Sequence, residues 1–163
     1  MEPVRRRAAR VLVLDAEDRL LLLRGGDPAR PQYVIWHAPG GGVDADEDDA
    51  LAAQRELHEE TGLSVDSVGN PVWLRSAAFS FDGVLYDQDE VFYCVRIDGH
   101  EVDDSAHTEL ERRYLSGHHW FGLAELRTCP DLLAPPDLVE RLAELLRDGP
   151  PVVPVQVQGA VLP

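Results

Sequence analysis

Apolar and polar positions along the chain change period several times, and each change marks an element. Residues 8–15 (AARVLVLD) and 19–24 (RLLLLR) are short apolar runs separated by Ala16-Glu17-Asp18. Their length and spacing predict a β-hairpin, although the leucine-rich second run also fits a helix. Residues 25–32 (GGDPARPQ) are dense in turn formers and predict a loop. Tyr33-Val34-Ile35-Trp36 reads as a third strand, ending at Pro39-Gly40-Gly41-Gly42. From about Asp48 to Thr61 the period becomes helical, with Gly62 as the C-terminal cap. Two further strands, 71–81 and 84–97, are joined by a turn at Asp82-Gly83. Val91 to Val95 is apolar throughout, as in a strand covered on both faces. Residues 98–117 are polar and acidic and predict an irregular loop. His119-Trp120-Phe121 is a short strand candidate, and Leu123 to Leu126 begins a helical turn. An amphipathic helix is predicted at about 137–147, with Leu138, Leu142, Leu145 and Leu146 on one side. Strands on both sides of one central helix, plus a terminal helix, predict an α/β sandwich with a mixed β-sheet.

The central helix carries the densest chemistry. On a wheel of about 100° per residue with Glu56 at zero, Glu60 falls near ~40° and Glu59 near ~−60°. All three carboxylates share one arc, while Ala50, Ala53 and Leu57 form the apolar stripe. Like charges this close destabilise a helix by several tenths of a kcal/mol per pair, roughly. Arg55, four residues before Glu59, relieves only part of that. Carboxylate oxygens at this density are the ligand type that Mg²⁺ or Mn²⁺ prefers. A solvated acidic helix face has the same spacing. The glycines upstream favour the metal reading, because they permit close backbone approach and a glycine carbonyl there can join a metal shell, although they also fit an ordinary flexible turn.

Composition sharpens the picture. The 163 residues suit one domain over 1–149, with a proline-rich C-terminal arm at 150–163. The arm alternates Val153, Val155 and Val157 but holds too many prolines for a central strand, so it is expected along an edge of its own domain or of a second copy in a homodimer. Acids outnumber bases 30 to 15, for a net charge of −15, and every base is an arginine. With no lysine, the phosphate-loop, Schiff-base and kinase-type lysines are excluded together. Such an acidic chain is expected to repel a nucleic-acid polymer, so a phosphate substrate needs bridging cations. Cys94 and Cys129 have no metal or redox spacing, which suits a reducing cytoplasm. The apolar stretch after the N-terminal arginines ends at Asp15 after four residues, too short for an export core, and no run is long enough for a membrane span.

Residues 41–63 (GGVDADEDDALAAQRELHEETGL) resemble the Nudix box. The match falls on Gly41, Glu47, Arg55, Glu56, Leu57, Glu59, Glu60, Gly62 and Leu63, without a mismatch. Pro39-Gly40 before it, and Trp120 to Leu126 after it, resemble the family's flanks. The resemblance implies an α/β/α sandwich whose loop-helix-loop binds Mg²⁺, with Mn²⁺ as the alternative. It also implies hydrolysis of a diphosphate linkage in a nucleoside diphosphate joined to another group, with water as nucleophile. Carried over, Glu56, Glu59 and Glu60 are metal ligands together with the Gly40 carbonyl. Gly41, Glu47, Arg55 and Gly62 are structural, Glu47 and Arg55 as a salt bridge. Asp46 stands where many relatives have glycine.

The general base is left among Glu56, Glu59 and the strand residue Glu90. Arg24 and Arg75 are candidates to grip phosphate, and Trp36 to stack on a base; each has an ordinary alternative, in surface ion pairs or in the core. The rival function is a nucleotide-sensing Nudix module without turnover. A Nudix-type isomerase of an isoprenoid diphosphate is disfavoured, because neither cysteine has a suitable context.

Overall fold

The computed structural model describes residues 2–98, 102–103, 105–108, 111–112 and 115–160. Parts of the predicted 98–117 loop and the last three residues of the arm lie outside these. The strands are β1 (Val4–Leu14), β2 (Leu20–Asp27), β3 (Arg30–His37), β4 (Gly40–Gly42), β5 (Trp73–Phe81), β6 (Val84–Arg96), β7 (Gly117–Phe121), β8 (Leu132–Ala134) and β9 (Val155–Gln156). The helices used below are α1 (Asp49–Thr61), α2 (Leu123–Arg127) and α3 (Leu138–Asp148).

The strands form one mixed sheet in the order β8-β3-β2-β1-β6-β5-β9, with β4 also on β1 and β7 also on β2. The first two strands form the expected hairpin only at its tip, Leu14 opposite Leu20. They then part: β4 fills in along β1 at Ala8 to Arg10, and β7 along β2. The centre is β1 parallel to β6, in register from Val4 with Tyr86 to Leu14 with Arg96. The turn between β5 and β6 has positive φ at both Asp82 and Gly83, the backbone that matches strand twist in a tight hairpin.

Strand alternation builds two cores. Leu12 and Leu14 of β1 point to one face, where they meet Phe92, Leu126 and the Leu138, Leu142 and Leu145 stripe of α3. Ala9, Val11 and Val13 point to the other, against Ala52, Ala53 and Leu57 of α1. Because both faces are covered, Ala8, Ala9 and Val11 to Leu14 are buried, with only the half-buried Arg10 between them.

The loop predicted at 25–32 is shorter than its composition suggested. Strand β2 runs on to Asp27 and β3 starts at Arg30, with a register shift between Gly25 and Asp27. The glycines mark this irregularity, and a Cβ on Gly26 would come within 2.7 Å of the Tyr33 carbonyl oxygen. The buried Asp27 carboxylate holds the turn, accepting from the Ala29 and Asp82 N–H groups at 2.9 and 2.8 Å and pairing with Arg30 at 3.2 Å.

The arm packs on its own domain. Strand β9 adds in parallel to β5, Trp73 opposite Val155, and Val157 is buried. The Gln158 N–H donates to Asp137 at 3.1 Å.

Candidate active site

The site is assembled where β4 turns into α1. Gly40 sits opposite Arg10 in the β1–β4 ladder at φ +153°, and a Cβ there would overlap the Ala9 carbonyl and lie 2.7 Å from the Arg10 Cα. Only glycine fits. A Cβ on Gly41 would lie 2.7 Å from the Glu56 carboxyl carbon, so the missing side chain is what lets that carboxylate lie against the backbone. Helix α1 starts where Asp48 accepts from the Ala50 N–H at 2.8 Å. It ends at Gly62, whose φ of +76° is left-handed and whose N–H donates to the His58 carbonyl.

Arg55 ties loop to helix. Its guanidinium pairs with Glu47 through two bonds of 2.8 and 2.9 Å, donates to the Gly42 carbonyl at 3.0 Å and to Glu56 at 3.0 Å, and reaches Glu59 at 3.4 Å. Hydrogen bonds from Arg55 hold the Glu47 carboxyl down at about 2.

Three carboxylates converge in front of this frame. Oxygens of Glu56, Glu60 and Glu111 all lie within 4.8 Å of one another. Glu60 is 1% exposed, and its Oε1 accepts from the Gly40 N–H at 2.7 Å. Burial pushes its carboxyl up to about 8 against the opposing Gly40 N–H and the Arg10 charge, with Glu56 and Glu111 adding to the rise. Burial likewise raises Glu56, opposed by Arg55 and reinforced by Glu59. Buried like charges without a compensating cation are costly. A triad of hard oxygen donors fits a divalent cation such as Mg²⁺, which takes oxygen ligands and keeps waters in the remaining positions.

The remaining sequence candidates are distributed differently. Glu59 stands on the same helix with its side chain 36% exposed, bonded only weakly to Arg55 and outside the close triad. Glu90 is buried, but between arginines: it pairs with Arg10 at 3.2 Å and Arg75 at 3.0 Å, and accepts from Gln88 Nε2 at 2.7 Å. Burial alone would raise its carboxyl; Arg10 and Arg75 outweigh burial and hold it down at about 2. Arg75 is 6% exposed, and its other donors go to the Gln158 and Gly159 carbonyls of the arm. That guanidinium is committed within the protein. Trp36 packs edge-on against Phe121 at 5.0 Å and donates to Asp131 at 3.0 Å. Arg24 is half-buried and donates to Ser116 at 2.8 Å.

Glu111 was not singled out by spacing to the other acids. Its one local signal is the pattern Thr108-x-x-Glu111. The two residues cap each other, Thr108 N–H to Glu111 Oε1 at 3.0 Å and Glu111 N–H to Thr108 Oγ1 at 3.1 Å.

A mixed sheet between helical layers, with a glycine strand turning into a carboxylate-bearing helix, defines the class of protein. A family model described as NUDIX domain matches residues 4–148, and the chain belongs to the Nudix family as a pyrophosphohydrolase acting on a diphosphate linkage. The chain is 31% identical over 137 residues to an RNA pyrophosphohydrolase of Rhodopseudomonas palustris strain BisB18, spanning 77% of each protein. It is 37% identical over 86 residues to one from Nitrobacter winogradskyi, covering 48% of this chain and 51% of that relative. Among solved structures, the MutT protein of Methanosarcina mazei Go1 superposes with a TM-score of 0.66 at 20% identity, covering 91% of this chain and 99% of its own. The NUDIX domain of Shewanella oneidensis NrtR, complexed with ADP ribose, gives 0.65 at 17% identity, covering 89% and 90%. These two likenesses show the shared fold.

Proposed function

We propose that the chain hydrolyses a small nucleotide-type diphosphate with Mg²⁺, or Mn²⁺, held by Glu56, Glu60 and Glu111 and completed by Glu59 and the Gly40 carbonyl. The observation that carries this reading is the carboxylate triad: buried Glu60 lies within reach of two other carboxylates and, among the described residues, its carboxylate accepts from the Gly40 N–H. A bound cation would neutralise the diphosphate and polarise the phosphorus under attack. Arg55 holds Glu56 in place and keeps the loop on the helix. Gly40 and Gly41 keep the backbone close enough for both buried carboxylates. Glu59, the most exposed carboxylate of the arc, takes the proton of the attacking water. Glu90 is a poor base for that step, since a carboxyl held at about 2 is far from the neutral pH at which base catalysis is most effective.

The choice of a small substrate rests on charge. The relatives are named for RNA, but a net charge of −15 with every base an arginine opposes a polyanion. Among the described residues no helix is long and apolar enough to cross a membrane, and both cysteines are free thiols. A cytoplasmic setting belongs to the same proposal.

The test is a hydrolysis panel with Mg²⁺: nucleoside triphosphates, ADP-ribose, dinucleoside polyphosphates, nucleotide sugars and 5′-triphosphorylated RNA. The expected result is turnover of a free nucleotide that Glu60→Gln and Glu111→Gln each lower by at least about 10²-fold, which is ~2.7 kcal/mol in transition-state terms. Preference for the RNA would overturn the substrate class. Tight binding of a nucleotide without turnover would favour the sensing module.

A further inference from the structure

A chain of buried and part-buried polar contacts runs from the C-terminal arm to the glycine strand of the site. Arg75 Nε donates to the Gln158 carbonyl at 2.9 Å, and another Arg75 nitrogen donates to the Gly159 carbonyl. The same guanidinium reaches Glu90 at 3.0 Å, and the other Glu90 oxygen takes Arg10 Nε at 3.2 Å. Arg10 then donates to the Ala38 carbonyl at 3.1 Å, and its own backbone is paired with Gly40. Gly40 is the residue whose N–H holds Glu60. Every joint is tight. Gly159 has no room for a Cβ, which would overlap the Ser76 carbonyl, and Gly40 has none above Arg10.

Resting on the reading of Glu60 as a metal ligand, we propose that Glu90 is a positioning residue, clamped by Arg75 and the C-terminal arm, that sets the cation affinity of the site through Arg10 and Gly40. The arm thus supports the active site from outside it. Arg10 is held between the Glu90 carboxylate and the Ala38 carbonyl while its backbone pairs with Gly40, so its position follows that of Glu90. Loosening the arm frees Arg75, shifts Glu90 and lets Arg10 move off the strand that presents Gly40.

The test measures Mn²⁺ affinity directly, by electron paramagnetic resonance of free Mn²⁺, on the full chain. Gly159→Val displaces the arm without touching the site, and Glu90→Gln breaks the central joint. Both are expected to weaken Mn²⁺ binding by about 10–100-fold, the usual cost of losing support behind a metal ligand. Arg75→Lys keeps the charge but has one nitrogen in place of the fork that holds Glu90 and both arm carbonyls, so it is expected to weaken Mn²⁺ binding as well; it is also the variant to read if Gly159→Val fails to fold. Leu142→Ala controls for stability alone, because it lowers the melting temperature and leaves Mn²⁺ affinity at the wild-type value. Wild-type Mn²⁺ affinity in both Gly159→Val and Glu90→Gln would overturn the proposal. A drop in kcat of about 10²–10⁴-fold for Glu90→Gln at unchanged Mn²⁺ affinity would make Glu90 a general base instead. A wild-type chain that binds no Mn²⁺ would instead sink the metal-site reading on which the proposal rests.

Discussion

Glu60 and Glu90 are both buried carboxylates, and their surroundings drive them in opposite directions. Glu60 meets other acids and one N–H, so burial dominates; Glu90 meets two arginines, so charge pairing dominates. The sign for stability follows. A carboxyl at about 2 when folded, against roughly 4.3 when unfolded, contributes stability that is full above the unfolded value. That contribution is lost as pH falls toward 2. Glu90→Gln removes the buried charge that Arg10 and Arg75 share, a loss of about 3–5 kcal/mol at neutral pH. Urea midpoints at pH 7 and pH 3 check this: the gap between wild type and variant narrows at pH 3, whereas a gap independent of pH contradicts the ion-pair assignment. The box glutamates were legible as residues, since their spacing alone puts them on one arc. Glu111 was not legible, because a carboxylate about fifty positions along the chain joins them only through folding. The surroundings of Arg75 were not legible for the same reason, as besides Glu90 it bonds arm carbonyls more than eighty residues away.

Elements were read best where local chemistry decides them. Asp48 and Gly62 bound α1 on both sides, and the helix runs Asp49–Thr61 between them. Asp48→Ala removes the acceptor for the Ala50 N–H and should cost about 1 kcal/mol of stability, read as a lower denaturation midpoint with Mn²⁺ affinity unchanged. An unchanged midpoint would mean that tertiary packing, not the cap, fixes where the helix begins. The Asp82-Gly83 turn was read correctly because positive φ at both positions is a local demand. Residues 25–32 were not. Turn-forming composition there reflects a register shift and a two-residue turn held by Asp27, whose acceptance from Asp82 is a long-range contact. Strand β8, only three residues long, pairs in parallel with β3 and has no periodicity of its own to detect.

At the scale of the whole molecule, the arm is part of the sheet and of the larger core. Truncation after Gly149 removes β9, the buried Val157 and the carbonyls that hold Arg75. It should lower stability by at least about 1.5 kcal/mol, the burial of one valine, visible as a lower melting temperature. An unchanged melting temperature would show that the arm adds nothing to the fold. The sequence by itself determined the class of fold, the family and the helix that carries the acids. Those follow from period, caps and the box, whose information lies within one turn of chain or one short frame. Tertiary structure alone decided that Glu60 is buried beneath Gly40, that Glu111 faces it, and that Glu90 stands between two arginines. Such outcomes depend on which distant strands lie side by side, and burial and charge pairing act through space between residues that no local pattern connects.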